Sequence, residues 1–558
     1  MYLFCIQDER IFMFNLDPTQ QEWVEKAFDR LTLTEKIGQL VCERATDMLG
    51  RKDPAKWLDK YPVGSLFVGS EIIHDGAQDS ASVAECVEKF NSSGKNIPLA
   101  VCGDFEHGIG RNIQGFTHLP DLMALAATFD PQLAYEYGKI IAEEGRSIGL
   151  HWGFGPVADL NLNPQNFVTN TRCMGDNPEH AISMLRELVR GMQENGMAAC
   201  PKHFPGDGTD TRNQHIVTSL NLLDKEDWER KHGKVFQALI DAGAASIMIG
   251  HLGFPGYETI DGKKGKFCPA TASKKILTDL LRKEMGFEGI ILSDALCMNG
   301  YISWGGYEDR IIDSFNAGMD VFLWPDTEKF IPLIIKALAD GRVAEERLEE
   351  SVRRVLTFKA WLGIDRAGKP IPLEKGKLET NRKTATVIAE KSITLLRNRD
   401  NSIPLTLPEG VELLAVTIPE SEKAQKPMAY FTERLASRGY QVTGCKLSEM
   451  HKHDLDKFAA VFLLCNAKPL YVEYPVNNYS LWNFMINEKI KKRIYISFGT
   501  PYFLYEIAEA DNYMNVYSDS RESVDAAIKA LFGEIPCHGR SPVTMKHCFA
   551  FGDGRGRK

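Results

Sequence analysis

The sequence lacks any apolar run long enough to cross a bilayer, so no membrane-spanning helix is expected. The N-terminus carries a short apolar segment, but Asp8, Glu9 and Arg10 interrupt it, which is not typical of a signal peptide. No membrane partner and no export are therefore predicted. These absences favour a cytoplasmic location.

The sequence also lacks an excess of positive charge. Its 66 Lys and Arg residues are outnumbered by 75 Asp and Glu residues, for a formal net charge of -9. Because a nucleic-acid surface needs clustered Lys and Arg to contact phosphates, no nucleic-acid partner is expected. The oligomeric state remains open at this level.

None of the twelve cysteines forms a CxxC pair, and several lie in apolar runs, which indicates buried reduced thiols rather than a disulfide framework. The glycine-rich segments 206–208 and 552–556 lack the lysine pattern of a phosphate-binding loop. The sequence therefore predicts no cofactor and no metal site.

A chain of 558 residues is too long for one hydrophobic core, so two or three domains are expected. Over the first 360 residues, short β-rich runs alternate with amphipathic helical stretches, a pattern typical of parallel βα units. Helices are predicted at 20–42, with a capping box at Thr32 and Glu35, and at 131–149 and 180–196. Seven strands are clear and an eighth is ambiguous; the clear ones are 64–68, 99–103, 150–156, 198–203, 246–250, 289–293 and 319–324.

This spacing favours a TIM-like (β/α) barrel over the alternative, an open doubly wound sheet. We expect the barrel to occupy residues 1–362, followed by a Gly-, Pro- and Lys-containing linker at 363–379. Residues 380–558 are predicted to form a smaller α/β sandwich domain. Its expected strands are 392–397, 413–417, 459–465, 493–497 and 514–517.

Polar residues follow several of the predicted barrel strands, where the working residues of such barrels lie. They occur in the segments 104–108 (DFEHG), 156–159 (PVAD), 172–175 (RCMG), 202–208 (KHFPGDG) and 293–296 (SDAL). A single charged residue after a strand is more often part of a turn or a helix cap than a catalyst. Five such segments at one barrel face predict a polar cup that suits a polyhydroxylated ligand.

Several of these segments resemble the glycoside hydrolases of family 3, in the same order along the chain. Residues 286–298 (GFEGIILSDALCM) resemble the family's nucleophile segment, and 202–206 (KHFPG) its sugar-binding segment. Residues 120–178 and 389–398 (AEKSITLLRN) resemble two further parts of the family. The resemblance extends over nearly all of residues 20–545.

The resemblance implies a retaining mechanism, in which Asp294 attacks the anomeric carbon and water then hydrolyses the glycosyl-enzyme. It also implies that a set of charged residues holds the sugar hydroxyls. That set is Asp104, Arg172, Lys202 and His203, with Arg111 as a further candidate whose distance from Asp104 is one residue shorter than in the bacterial β-N-acetylglucosaminidase branch.

The general acid/base is less clear from the sequence. In that branch it is a histidine paired with an aspartate two residues earlier; here His215 takes the histidine's place, but Asn213 replaces the aspartate. An imidazole can give and take a proton near neutrality, whereas an amide orients the ring without stabilising its charge. Asp207 or Asp210, from the same loop, could supply that charge. Glu473 is a weaker acid/base candidate, by analogy with the family's β-glucosidases.

The leading hypothesis is a retaining exo-acting β-N-acetylhexosaminidase that releases terminal N-acetylglucosamine from a small saccharide. A β-glucosidase-type exo-hydrolase is the first alternative, and a phosphorylase is another. A sugar-binding protein with little catalytic activity is the non-enzymatic alternative, because Asn213 departs from the pattern.

Overall fold

Eight short parallel strands surround the core of the N-terminal part. The computed structural model describes residues 14–49, 51–69, 97–262, 265–366, 370–467 and 478–554. The strands are β1 (Val41–Arg44), β2 (Ser65–Phe67), β3 (Ala100–Gly103), β4 (Trp152–Gly153), β5 (Ala198–Ala199), β6 (Ser246–Ile249), β7 (Ile290–Ser293) and β8 (Phe322–Leu323).

The pairing of these strands closes a ring. Six of them form one sheet in the order β8-β1-β2-β3-β4-β5, and β6 pairs with β7, always in parallel. Parallel bridges from Phe204 to Ile249 and from Leu292 to Val321 join the two sets. The predicted barrel is confirmed, and the open sheet is wrong. Nearly all strand residues are buried, as a sheet covered by helices on its outside requires.

Strand β1, which the sequence did not identify as a strand, lies where the sequence predicts a continuing helix. The chain forms one helix at Pro18–Arg30 and a second at Leu33–Gly38, and then enters β1 at Val41. The capping box at Thr32 and Glu35 is confirmed. The predicted end of the helix at Cys42 is wrong, because a short apolar run has no periodicity that separates a buried strand from a buried helix.

Helices connect the barrel strands and cover the outside of the ring. The predicted helices at 131–149 and 180–196 are observed as Pro131–Arg146 and Pro178–Glu194, and each begins with proline after an Asp or Asn cap. The other helices in this part are Ala45–Leu49, Pro54–Lys60, Leu122–Ala127, Lys225–Arg230, His232–Asp241, Lys275–Glu284, Asn299–Ile302, Tyr307–Ala317, Thr327–Ala339 and Glu345–Trp361.

A second sheet of six strands follows. Its strands are β9 (Thr394–Asn398), β10 (Glu412–Ile418), β11 (Gln441–Lys446), β12 (Ala460–Cys465), β13 (Arg493–Ser497) and β14 (Asn512–Asn515), in the order β9-β14-β13-β12-β10-β11. Only β9 runs antiparallel to its neighbour. The prediction missed β11, since this edge strand is largely exposed and carries no apolar alternation.

Helices on both faces of this sheet make it the predicted α/β sandwich. They are Lys377–Ser392, Glu422–Ala436, Asn478–Ile486 and Arg521–Leu531. Alternate residues of β10 point to opposite faces: Leu414 and Val416 pack with Met123 of a barrel helix, whereas Leu413 and Ala415 pack in the outer core. The barrel helix Leu122–Ala127 therefore packs into the core on the inner face of the sandwich.

Residues 364–366 form a short helical turn, and the Lys377–Ser392 helix begins inside the predicted linker. The domain bounds 1–362, 363–379 and 380–558 stay a prediction. Within the described ranges, no helix is long and apolar enough to cross a membrane.

Candidate active site

Most of the predicted site residues lie where the barrel strands end. Asp104 follows β3 directly, Lys202 and His203 lie just beyond β5, and Asp294 follows β7. Arg172 closes a short helical turn, Asn170–Arg172, in the long connection after β4. Because all eight strands are parallel, their carboxyl ends meet at one mouth of the ring.

Two cations and two carboxylates form a connected cluster in this mouth. Lys202 Nζ lies 2.7 Å from Asp104 Oδ1 and 2.6 Å from Glu106 Oε1. Arg172 donates two hydrogen bonds to Glu106, from Nη2 to Oε1 at 2.7 Å and from Nε to Oε2 at 3.0 Å. Glu106 therefore joins two of the predicted sugar-binding residues, and this bidentate geometry fixes the plane of the guanidinium group.

The charges in this cluster stabilise one another despite burial. Burial alone would raise the pKa of Glu106, but the charges of Arg172 and Lys202 hold that pKa well below its usual range. Burial likewise disfavours the charged form of Lys202, and the carboxylates of Asp104 and Glu106 outweigh it and raise the pKa of Lys202. Glu106, Arg172 and Lys202 are therefore charged at neutral pH. Half of the Asp104 side chain is exposed to the cup.

His203 lies between two aspartates and is hydrogen-bonded to one of them. Asp159 is fully buried and accepts from the backbone N–H of His203 at 3.0 Å. Its other oxygen lies 2.7 Å from His203 Nδ1. The second ring nitrogen, Nε2, lies 4.0 Å from Asp294 Oδ2. Asp159 thus fixes the orientation of the imidazole that faces Asp294.

Asp294 is almost buried, with 12% of its side chain exposed. Burial would raise the pKa of Asp294, but the nearby imidazoles of His203, His251 and His215 and the hydrogen bond from the Ala295 N–H lower it. That hydrogen bond is 2.7 Å long. The carboxylate is therefore ionised at neutral pH, as a nucleophile must be.

His215 belongs to the loop after β5. Its Nδ1 lies 2.7 Å from Asn213 Oδ1, and its backbone N–H donates to the same oxygen at 3.0 Å. The carbonyl of His215 accepts from the Asn299 N–H, which ties the loop to the segment after β7. Burial lowers the pKa of His215, and Arg172 lowers it further, against an opposing effect of Asp294. The neutral ring is therefore favoured at pH 7.

Neither aspartate of the same loop contacts this histidine in the described part of the chain. Asp207 accepts from Asn166 and from the Gly208 N–H, and burial together with the charge of Asp159 raises the pKa of Asp207 to about 7. Asp210 pairs with Arg212 at 2.6 Å. Neither aspartate therefore replaces the missing dyad partner by a direct contact, and its supply of charge to His215 stays a prediction.

Two predicted residues lie apart from these contacts. Arg111 ends the Ile109–Arg111 turn, and its Nη1 lies 3.5 Å from His118 Nε2 and 3.7 Å from Asp519 of the second domain. The structure does not join Arg111 to the cluster around Lys202 by any described contact. Glu473 lies outside the described residues.

Glu106 and Asp159 carry much of this geometry but were not among the predicted site residues. Each stands in a segment that the sequence marks as polar after a strand, two residues after Asp104 and three after Pro156. Their position directly after a predicted strand is the feature of the sequence that could have identified them. Among the described residues, no group of three or more His, Cys, Asp or Glu side chains is arranged to hold a metal ion.

The sequence model described as "Glycosyl hydrolase family 3 N terminal domain" matches residues 32–358. The chain belongs to glycosyl hydrolase family 3. A protein of Cellulomonas fimi named beta-N-acetylglucosaminidase/beta-glucosidase is 29% identical over 565 aligned positions, which cover 95% of this chain and 97% of the relative.

Two solved structures of this kind of fold cover nearly the whole chain. One, described as beta-glucoside phosphorylase BglX, has a TM-score of 0.83 and 26% identity, and the match covers 95% of this chain and 97% of that one. The other is a family 3 beta-N-acetylglucosaminidase from Paenibacillus sp. str. FPU-7, with a TM-score of 0.82, 26% identity and coverage of 92% and 99%. This family 3 member is a glycoside hydrolase.

Proposed function

We propose that this family 3 enzyme is a retaining exo-acting β-N-acetylglucosaminidase with Asp294 as its nucleophile. The observation that carries the proposal is the ionised, nearly buried Asp294 carboxylate held 4.0 Å from His203 in a cup of charged hydrogen-bonding groups. A carboxylate in such a site can attack an anomeric carbon and later leave from it. The proposed substrate is a small saccharide, and a cytoplasmic location stays a prediction.

The cluster around Lys202 supports the exo-acting part of the proposal. Lys202 and Arg172 offer charged N–H donors, and the half-exposed carboxylate of Asp104 offers acceptors. Hydroxyl groups of a terminal sugar can both donate and accept, so a cluster with both kinds of partner suits one ring. The ion pairs hold these groups in place before the sugar arrives, which lowers the entropy lost on binding.

His215 is the proposed general acid/base. Asn213 anchors one ring nitrogen and leaves the other free to exchange a proton with the glycosidic oxygen. Asp294 raises the pKa of His215 and His215 lowers the pKa of Asp294, so the proposed acid/base and the proposed nucleophile lie in one electrostatic environment. In the first step, the carboxylate of Asp294 forms a bond to the anomeric carbon, the glycosidic bond breaks, and the leaving oxygen takes a proton from the protonated form of His215, which thereby becomes neutral. In the second, the neutral ring takes a proton from the attacking water, whose oxygen bonds to the anomeric carbon as the bond to Asp294 breaks.

The test is hydrolysis of the p-nitrophenyl β-glycosides of N-acetylglucosamine and of glucose. Release from the first, lost in Asp294→Ala but retained in the surface control Asp340→Ala, supports the proposal. Preference for glucose would favour the β-glucosidase alternative. A 2-deoxy-2-fluoro glycoside should form a stable covalent adduct, and mass spectrometry of the digested protein should locate it on the peptide that contains Asp294. An adduct elsewhere would refute the nucleophile, and no release from either glycoside would favour a sugar-binding protein.

A phosphorylase is a second candidate, favoured by one observation. The partner of His215 is the neutral Asn213 rather than a carboxylate, so an incoming phosphate meets less negative charge at the acid/base. In that reaction a phosphate oxygen would displace the Asp294 carboxylate from the anomeric carbon and give a sugar 1-phosphate. Turnover with added inorganic phosphate, followed by ³¹P NMR, separates this outcome from hydrolysis.

A further inference from the structure

Three basic side chains lie together at the end of the barrel opposite the proposed active site. Arg146 ends the helix Pro131–Arg146, His151 directly precedes β4, and Lys359 belongs to the helix Glu345–Trp361. All three are buried, with exposed fractions of 8%, 1% and 0%. We call these three residues the basic cluster.

Contacts with the chain at the amino ends of β1 and β3 give the cluster its place in the barrel. Lys359 Nζ donates to Gln39 Oε1 at 2.7 Å and to the Pro98 carbonyl at 3.0 Å, two residues before β1 and two before β3. The Val101 N–H of β3 donates to His151 Nδ1 at 3.3 Å. Because parallel strands all begin at this end of the ring, the basic cluster lies away from the mouth that holds the proposed nucleophile.

The cluster has more hydrogen-bond donors than acceptors. Since His151 Nδ1 accepts from Val101, the proton of the neutral ring is on Nε2, which is buried with no hydrogen-bond partner among the described residues. Burial, followed by the charges of Arg146 and Lys359, lowers the pKa of His151 to about 3, so the ring is neutral at pH 7. Arg146 Nε and Nη1 are likewise buried without a partner in that part of the chain. A charged lysine has a third N–H donor beyond the two that Lys359 uses on the acceptors given above.

Within the described ranges, no ion pair joins Arg146 or Lys359 to a carboxylate. The acidic residues nearest to Arg146 on its own helix have other partners: Glu143 lies 2.9 Å from Lys377, and Glu144 accepts hydrogen bonds from two other segments. Burial lowers the pKa of Arg146 and brings that of Lys359 to about 7, with no opposing effect from a carboxylate. Because buried charges in proteins are normally paired, these two cations call for a negative partner.

We propose that the basic cluster binds one small inorganic anion. The guanidinium group of Arg146 and the ammonium group of Lys359 supply charged donors, and His151 Nε2–H supplies a neutral one. The burial of His151 and Lys359 limits the ligand to the size of a chloride, sulfate or phosphate ion. Such an anion accepts from donors that otherwise have no acceptor and offsets the repulsion between the two cations.

The expected consequence is a stability that depends on the anion. Only the folded chain holds the three groups together, so the anion binds the native state and shifts the unfolding equilibrium. Above its Kd, each tenfold increase in free anion should raise Tm by about 1–3 °C. The inference concerns the barrel itself and does not depend on the proposed glycosidase activity.

The test is thermal unfolding of the full chain at about pH 6.5, below the pKa of Lys359, after dialysis into gluconate, an anion too bulky for a buried site. Chloride, sulfate or phosphate then replaces gluconate at constant ionic strength. Arg146→Met removes one cation and breaks no described hydrogen bond of its side chain. Lys359→Met removes the other cation. Lys383→Met is the matched control, because it makes the same change at a side chain that is 73% exposed.

We expect Tm to rise with the logarithm of the concentration of at least one of these anions in the wild type and in Lys383→Met. The rise should be absent in Arg146→Met and Lys359→Met, and any effect common to all four proteins is a general effect of the salt. A specific response to chloride alone assigns a halide, and a response to sulfate or phosphate assigns an oxyanion; either result supports the site.

Two outcomes would overturn the proposal. One is a wild type whose Tm responds to none of the three anions beyond the general effect of the salt. The other is a response that persists in both cluster variants, which would place the anion elsewhere, for example in the cup with Arg172 and Lys202. Arg146→Met keeps the test decisive if Lys359→Met fails to fold, since only the lysine variant deprives protein acceptors of their donor.

Discussion

Replacing Asn213 by aspartate tests how His215 carries its proton. The amide oxygen lies 2.7 Å from His215 Nδ1 and has no formal charge. Asn213→Asp keeps the shape of the side chain and places a negative charge at that distance. Burial and Arg172 lower the pKa of His215 below its ordinary value of 6.5 in the present chain. We expect the new carboxylate to raise the pKa of His215 instead.

The size of the effect follows from the distance. For unit charges 2.7 Å apart, Coulomb's law gives roughly 6 kcal/mol at an effective dielectric constant of about 20. Desolvation of both groups offsets much of this attraction. Carboxylates this close to a cation shift pKa values by about 1–3. The general acid then stays protonated to higher pH, so the alkaline limb of kcat/KM should move up by about 1–3 pH units.

The assay is the pH profile of kcat/KM for the p-nitrophenyl β-glycoside of N-acetylglucosamine, which reports the ionisation of the free enzyme. Ile216→Asp is the matched control, because it adds the same charge one residue away on a side chain that is 64% exposed. Solvent screening should keep its effect below about half a pH unit. Asn213→Ala should lower activity without moving the limb upward. An alkaline limb that stays in place in Asn213→Asp would refute His215 as the general acid.

Three further predictions concern charged groups that the structure buries. Asp294→Ala should lower kcat/KM at least about thousandfold with little loss of stability, measured by steady-state kinetics and thermal melting; turnover within tenfold of the wild type would exclude this nucleophile. Glu106→Gln removes the negative charge that Arg172 and Lys202 share. The free energy of unfolding, measured by urea titration, should therefore fall by about 3–5 kcal/mol. An unchanged urea midpoint would contradict a stabilising role of this cluster. Asp320 is buried with Arg282, Arg347 and Arg354, whose charges outweigh burial and depress its pKa below the ordinary 3.8. The stabilising effect of the Asp320 charge is therefore present above pH 3.8 and is lost as the pH falls through the depressed pKa. Asp320→Asn should lower the free energy of unfolding at pH 7 by about 3–5 kcal/mol, and its difference from the wild type should become smaller in acid. A difference in unfolding free energy that is the same at pH 7 and in acid would refute this assignment.

The prediction of the fold succeeded where the signal is local. Strand-to-helix alternation and capping residues such as Thr32 are written within a few positions, and they gave the barrel and most element positions. β1 and β11 escaped prediction for opposite reasons. β1 is a short apolar run that follows a helix directly, and β11 is an exposed edge strand that lacks alternation.

The features of the site also divide into those that the sequence predicts and those that only the tertiary structure shows. The sequence by itself determined which residues end the strands, and the order of the motifs determined the family to which the chain belongs. Tertiary structure alone decided that Glu106 meets Arg172, 66 positions away, and that Asp159 holds His203. It also decided that segments of the barrel and of the second domain line one cavity. The reason is physical: a local pattern fixes the direction of a strand, whereas partners from distant segments meet only when the parallel strands close into a ring and bring their carboxyl ends together.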